Sequence, residues 1–309
     1  MCAAKMRPDE VDLDAPLVSR LVAAQFPQWA GLPVRRLASS GTENAMFRLG
    51  ADKVVRLPRH PDAVESVAHE QHWLARLGPR LSVATPVPLE QGGPGEGFAW
   101  PWSVYGWLDG RNPVAGAVEQ PEALAADLAA FVTALRGIEA QGGPPNDRGV
   151  PLAERDAPTR DALAQLDGRI DTAAVTALWE EALRAPGRTE PPVWAHGDLS
   201  PGNVLVEGGR LSAVIDFGGV GVGDPAVDLI VAWNLLPASA RGVFRDAVGA
   251  DDAEWARGRG WALSISLIQL PYYWETNPPL AENSRHVIKE ILAETRAAGA
   301  PVAGSYAPS

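Results

Sequence analysis

Apolar residues recur at Leu13, Leu17, Val18, Leu21 and Val22, the three-and-four spacing that lays one apolar stripe along a helix. The pattern predicts a helix over 13–26, ended by Pro27, whose ring cannot continue it. From Val34 the period shortens to two. Residues 34–38 and 45–49 read as strands around the turn Ser39-Ser40-Gly41-Thr42-Glu43-Asn44, and 52–57 as a third strand closed by Pro58. A helix over 62–77 and strands near 87–89 and 100–105 complete a small antiparallel sheet. The segment Gly106-Trp107-Leu108-Asp109-Gly110 reads as a linker. Helical periodicity then dominates, over 122–138, 159–167, 172–184 and most of the chain after Asp228. The pattern therefore predicts an α+β chain of two lobes: an N-terminal lobe at 1–105, a linker at 106–110 and a larger, mainly helical lobe at 111–309.

Two short apolar runs, 204–206 and 211–215, interrupt the helical part and read as a hairpin. The polar residues around them carry the chemistry. Trp194-Ala195-His196-Gly197-Asp198-Leu199-Ser200-Pro201-Gly202-Asn203 precedes the first run, and Asp216-Phe217-Gly218 follows the second. Moving a γ-phosphoryl group needs a carboxylate to orient and deprotonate a hydroxyl, and oxygen ligands that hold Mg²⁺ on the phosphates. Asp198 and Asn203 have the spacing of the kinase base and metal-binding asparagine, and Asp216-Phe217-Gly218 is the kinase metal aspartate in its usual setting. Either fragment alone reads equally well as an ordinary Asp/Asn/Gly/Pro turn. Their order and spacing together point to phosphoryl transfer.

At these residues the chain resembles the aminoglycoside phosphotransferase family, the small-molecule branch of the protein-kinase-like fold, whose catalytic string reads H-G-D-x-x-x-x-N. The resemblance runs from about Leu37 to Ala293 and includes Gly223-Asp224-Pro225 and Asp228. It implies a bilobal kinase-like fold, Mg²⁺ and ATP or GTP as donor. Asp198 is then the base, and Asn203 and Asp216 the metal ligands. Arg56 falls where the family usually has a phosphate-holding lysine, and Glu70 where a helix glutamate braces it; the alternative for this pair is a surface salt bridge. Lys53, one of three lysines in the chain, lies on the opposite strand face. Gly41 leaves room for phosphates, and the backbone at Trp107 and Leu108 is expected to meet the base. His196 is expected to orient the loop, and Asp224 and Asp228 to brace it.

By the same resemblance the acceptor is a hydroxyl of an aminoglycoside or related antibiotic. Choline, homoserine, macrolide, peptide-antibiotic and sugar kinases share the scaffold, and fold does not fix substrate. Asp156, Asp161, Asp251, Asp252, Glu254 and Glu275, with Tyr272, Tyr273 and Trp274, are candidate acceptor contacts, against the alternative that they are solvated faces and packing. A nucleotide-binding protein without catalysis is a rival reading, motivated by Arg56 and the single-glycine loop. A protein kinase is disfavoured because no A-P-E string follows Asp216.

Composition narrows the picture further. The net charge of −11 argues against a nucleic-acid partner and suits a cationic small molecule. One cysteine, Cys2, leaves no internal disulfide, so a metal would have oxygen ligands. No run approaches the ~20 apolar residues of a membrane span, and the first ten residues lack a secretory apolar core. A cytoplasmic protein is expected.

Overall fold

The computed structural model describes residues 10–38 and 41–297; Cys2, Lys5, Ser39 and Ser40 lie outside the described residues. Helix α1 (Ala15–Gln25) starts where Asp14 accepts the Leu17 N–H at 2.8 Å, satisfying one of the donors that a helix start leaves open. It stops just before Pro27, as its sequence predicts.

The N-terminal sheet comprises β1 (Val34–Arg36), β2 (Asn44–Leu49), β3 (Lys53–Pro58), β4 (Pro88–Gly92) and β5 (Trp102–Gly106). Its order is β1-β2-β3-β5-β4, with every neighbouring pair antiparallel. Strand alternation sorts the side chains. Phe47, Leu49, Val55, Leu57, Trp102 and Val104 form one buried cluster with Val18, Leu21 and Val22 of α1. Arg56 and Tyr105 fall on the opposite face, against helix α2 (Val64–Leu77). Lys53 faces the α1 side, 5.4 Å from the centre of the Trp29 ring.

Two details differ from the sequence reading. Asn44 belongs to β2 rather than to the turn, and Pro58 pairs opposite it as the last residue of β3. The ladder continues past the proline because Arg59 N–H donates to Glu43 O at 2.8 Å, so it fixes Glu43 and Asn44 beside the face that carries Arg56.

The C-terminal part is helical: α3 (Pro121–Arg136), α4 (Asp156–Gln165), α5 (Thr172–Arg184), α6 (Val231–Asn234), α7 (Ala238–Val248), α8 (Asp252–Tyr273) and α9 (Pro278–Ala297). Its core is built on Leu128, Phe131, Trp179, Trp194, Trp233, Trp261 and Leu267, all buried. Set into it are the pair β6 (Val193–Ala195) with β9 (Gly221–Gly223) and the expected hairpin β7 (Val204–Glu207) with β8 (Arg210–Val214). The loop from His196 to Asn203 leaves β6 and enters β7, and Asp216 follows β8. Strand ends thus hold the chemically active residues.

Candidate active site

Two buried side chains shape the start of the loop. Asp228 is inaccessible and accepts the His196 and Gly197 N–H groups, each at 2.8 Å. Burial pushes its carboxyl above the ordinary range, against the opposing pull of His196 and those N–H groups. Asn146 donates to Ala195 O at 3.1 Å and to Gly219 O at 3.0 Å, joining both sides of the site. Gly197 has φ +81°, and a Cβ there would lie 2.7 Å from Asn146 Nδ2. The position opposes a side chain twice, by conformation and by contact.

His196 Nδ1 accepts the Asp198 N–H at 3.3 Å, so Nε2 carries the proton and faces Ile215 O at 3.1 Å. The ring ties the loop to the segment after β8 and has no nitrogen turned towards a substrate proton, which matches the orienting role expected of it.

Asn203 Nδ2 donates to Asp198 O at 2.9 Å and to Asp198 Oδ2 at 3.1 Å. This fixes the carboxylate and turns the Asn203 amide oxygen away from it. Arg148 Nη1 donates to the other carboxylate oxygen, Oδ1, and to Gly197 O at 3.2 Å. The Arg148 and Asp198 side chains are 38% and 39% exposed, so the pair opens to solvent. Asn112 Nδ2 holds the far side of the loop at Pro201 O (3.1 Å), Gly202 O (2.9 Å) and Val204 O (3.0 Å).

Asp216 has φ +66°, a left-handed conformation uncommon outside glycine and one that marks functional turns. Its Oδ1 accepts from Arg56 Nη2 at 2.8 Å, while Arg56 Nη1 pairs with Glu70 Oε2. With its amide oxygen turned to the guanidinium, Asn44 accepts from Arg56 Nε at 3.1 Å and Nη2 at 2.9 Å. Glu70 also takes the Tyr105 hydroxyl at 2.8 Å and, through Oε1, the Phe217 N–H at 2.8 Å. Arg56 is 5% exposed and Glu70 0%. The pair is therefore buried, and the surface salt-bridge alternative does not hold.

Charge follows from this geometry. Burial acts to lower the Arg56 pKa, but Glu70 and Asp216 override it and keep the guanidinium charged. Burial and Glu70 push the Tyr105 phenol up, so it remains a donor. Burial acts to raise Asp216, yet the Arg56 charge holds it below the usual carboxylate range. Glu43 is raised by burial and by Asp216, and it also feels Arg56, Arg148 and Asp198. The charges of both lobes therefore meet at one place.

The other expected residues are placed more variously. Gly41 is exposed in the β1–β2 connection. Trp107 N–H donates to Asp52 O at 2.8 Å, its indole donates to Asp109 Oδ1 at 2.8 Å, and Arg48 lies 3.5 Å over its ring. The Trp107 N–H is thus committed to the sheet. Asp224 accepts from Ala226 N–H and pairs with Arg257, a bracing role as expected. Among the acceptor candidates, Asp251 caps α8, Asp252 pairs with Arg245, and Glu254 pairs with Arg136 at 2.8 Å. Asp156 accepts from Trp179 Nε1 and Arg160 Nε, both at 2.8 Å, and Trp274 is flanked by Arg169 and Arg285.

Sequence reasoning missed Asn44, Glu43, the Tyr105 hydroxyl, Asn112, Asn146 and Arg148. Strand alternation, which puts Tyr105 on the Arg56 face, was a usable signal. Arg148 lies in an irregular Gly/Pro-rich stretch that offers none.

The chain matches the phosphotransferase enzyme family over residues 34–261. It is 30% identical to viomycin phosphotransferase of Streptomyces vinaceus over 239 residues, 71% of each chain. An aminoglycoside 3'-phosphotransferase of Escherichia coli is 31% identical over 113 residues, and this match covers 35% of the present chain and 42% of the relative. The chain thus spans less than half of that relative's length. In structure, the GDP complex of wild-type aminoglycoside 2'-phosphotransferase-IIIa superposes with a TM-score of 0.74 at 18% identity, covering 92% of this chain and 100% of the other. A macrolide 2'-phosphotransferase from Brachybacterium faecium gives 0.60 at 24% identity, covering 89% and 97%. The fold is that of these kinase-like enzymes, and the extent of the family match together with the viomycin phosphotransferase relative places this chain in the phosphotransferase enzyme family.

Proposed function

We propose that the protein transfers the γ-phosphoryl group of ATP or GTP to a hydroxyl of a small molecule, with an antibiotic as acceptor. The observation that carries this reading is the convergence of Asp198, oriented by Asn203, with Asp216, tied through Arg56 to Glu70. In this reading Asp198 takes the acceptor proton as oxygen attacks phosphorus, and the hold of the Asn203 amide on its Oδ2 supports that role. Arg56 is the clamp for the non-transferred phosphates, its charge secured by Glu70 and Asp216 against the opposing effect of burial.

The donor set suits Mg²⁺. Asn203 offers an amide oxygen and Asp216 carboxylate oxygens, both hard ligands, and no group of three or more His, Cys, Asp or Glu among the described residues could hold a metal. A site so sparse in protein ligands fits an ion that arrives with nucleotide phosphates and water. Asn203 and Asp216 would hold it, and it would supply charge neutralisation on the phosphates. With the Trp107 N–H committed to Asp52 O, Leu108 is the expected linker residue left to meet the base.

Aminoglycoside, viomycin and macrolide phosphotransferases among the similar proteins support an antibiotic acceptor. Solved neighbours include a GDP complex and an ADP-bound enzyme, which supports a nucleotide donor. Among the described residues no helix is long and apolar enough to cross a membrane; with the acidic charge, this supports a cytoplasmic enzyme without a nucleic-acid partner.

The test is release of nucleoside diphosphate from Mg·ATP and Mg·GTP across aminoglycosides, peptide antibiotics, macrolides, choline, homoserine and sugars, with Asp216→Ala as control. Stimulation by one acceptor class, lost in the control, is expected. Nucleotide binding with no turnover on any acceptor would favour a non-catalytic role, and absence of nucleotide binding would reject the reading.

A further inference from the structure

We propose that Arg148 is a further catalytic residue, its guanidinium holding the oxygens of the phosphoryl group in flight while it rests against the base. The inference builds on the phosphotransferase reading and adds a cation that reading lacks.

Phosphoryl transfer spreads charge over three equatorial oxygens, and preorganised donors aimed there are the main source of acceleration. Carboxylates dominate the site: Asp198 and Asp216 both act electrostatically on Glu43. The loop itself supplies no cation. Between His196 and Asn203 there is no lysine or arginine, and the protonated nitrogen of His196 faces Ile215 O. Arg56 is engaged by Glu70, Asp216 and Asn44 at the phosphate-clamp end. Arg148 is the other guanidinium acting on this group of carboxylates, and Asp198, Glu43 and Asp216 all stabilise its charge.

Its placement is built rather than incidental. The Arg148 N–H donates to Asn146 Oδ1 at 2.9 Å, and Asn146 is the buried residue that also holds Ala195 O and Gly219 O and abuts Gly197. One side chain therefore sets both the loop and the arginine. The guanidinium meets Gly197 O and Asp198 Oδ1 through Nη1, which leaves the Nε and Nη2 donors of its planar fork uncommitted to those partners. The side chain is 38% exposed, so a ligand can reach it.

In the step itself, the bond from the acceptor oxygen to phosphorus forms and the bond to the leaving diphosphate breaks. The diphosphate keeps the electron pair, and the acceptor proton passes to Asp198. Arg148 exchanges no proton. As Asp198 is neutralised its attraction for the guanidinium falls, and the charge is shared with the phosphoryl oxygens when they need it.

The test uses the full chain and does not depend on the acceptor. Mg·ADP and Mg·GDP are titrated with and without aluminium fluoride, whose planar complex imitates the phosphoryl group in flight. The parent is expected to bind the diphosphate about tenfold or more tightly with the fluoride. Arg148→Gln should bind the diphosphate within about threefold of the parent and lose most of that gain, while Arg148→Lys keeps part of it. A full gain in Arg148→Gln overturns the proposal, as does a parent that binds diphosphate with no gain. A parent that binds no nucleotide rejects the phosphotransferase reading itself. Should Arg148→Gln fail to fold, Arg148→Lys decides: a gain equal to the parent's overturns the role, because an ammonium cannot reproduce the fork.

Discussion

Glu70 reaches across the interior to Phe217: its Oε1 accepts the Phe217 N–H at 2.8 Å, while Oε2 pairs with Arg56. One carboxylate on α2 thereby fixes both the guanidinium of β3 and the backbone just after Asp216. Position of the helix and position of Asp216 are mechanically linked.

Removing that carboxylate leaves a buried guanidinium with only part of its compensation. Glu70→Ala is expected to cost about 3–5 kcal/mol, the range for breaking a buried ion pair from one side. An exposed pair would cost only ~0–1 kcal/mol, so urea unfolding separates the cases. Nucleotide affinity should fall with stability, because Asp216 and Arg56 lose their common anchor.

Asp198→Asn separates the proposed proton acceptor from the scaffold. The amide keeps the shape, and the loop retains Asp228, Asn146 and Asn112 as supports. Folding and Mg·nucleotide binding should persist, while turnover drops by roughly 10²–10⁴. Turnover near that of the parent in a folded variant would remove Asp198 from the role.

Much of this arrangement was legible in the chain because it rests on local periodicity. Period two put Arg56 on one sheet face and Lys53 on the other; Glu70 was expected from the family resemblance, and it shares the buried side of α2 with Val67, Trp73 and Leu74. Asp198, Asn203 and Asp216 lie close in sequence on one hairpin, so spacing alone brought them together. Arg148 and Asn146 could not be read in that way. They reach the site from a loop some fifty residues upstream, and only the tertiary fold sets that distance. For Asp251, Asp252 and Glu254 the sequence offers two readings, acceptor contacts or solvated faces and packing. The structure gives each a helix-start or arginine partner, which favours the second.

Gly197 stands where the protein-kinase string has arginine, and the structure supplies the reason. Gly197→Ala must adopt φ +81° and meet Asn146 Nδ2 at 2.7 Å, so a loss of about 1–3 kcal/mol is expected from backbone strain alone, with the contact adding to it. Introduced into an Asn146→Gly background, which by itself loses the hydrogen bonds to Ala195 O and Gly219 O, Gly197→Ala should cost only the conformational part. Calorimetric midpoints of the single and double variants measure both.

The hairpin that leads into Asp216 is itself moored by charge, and this mooring should respond to acid. Asp127 on α3 accepts from Arg210 Nε at 2.7 Å and Nη2 at 2.6 Å, and from the Leu211 N–H at 3.2 Å. The Arg210 hydrogen bonds hold its carboxyl below the usual aspartate value. Because the folded pKa is the lower one, the contribution is fully present above the unfolded value of about 3.9 and fades as pH falls through the folded pKa. Asp127→Asn should therefore lower stability by a constant small amount between pH 6 and 8, and parent and variant should converge below about pH 4. Urea midpoints across that range check it: a gap that widened towards acid would mean that Asp127 is raised rather than lowered, and the hairpin would need another anchor.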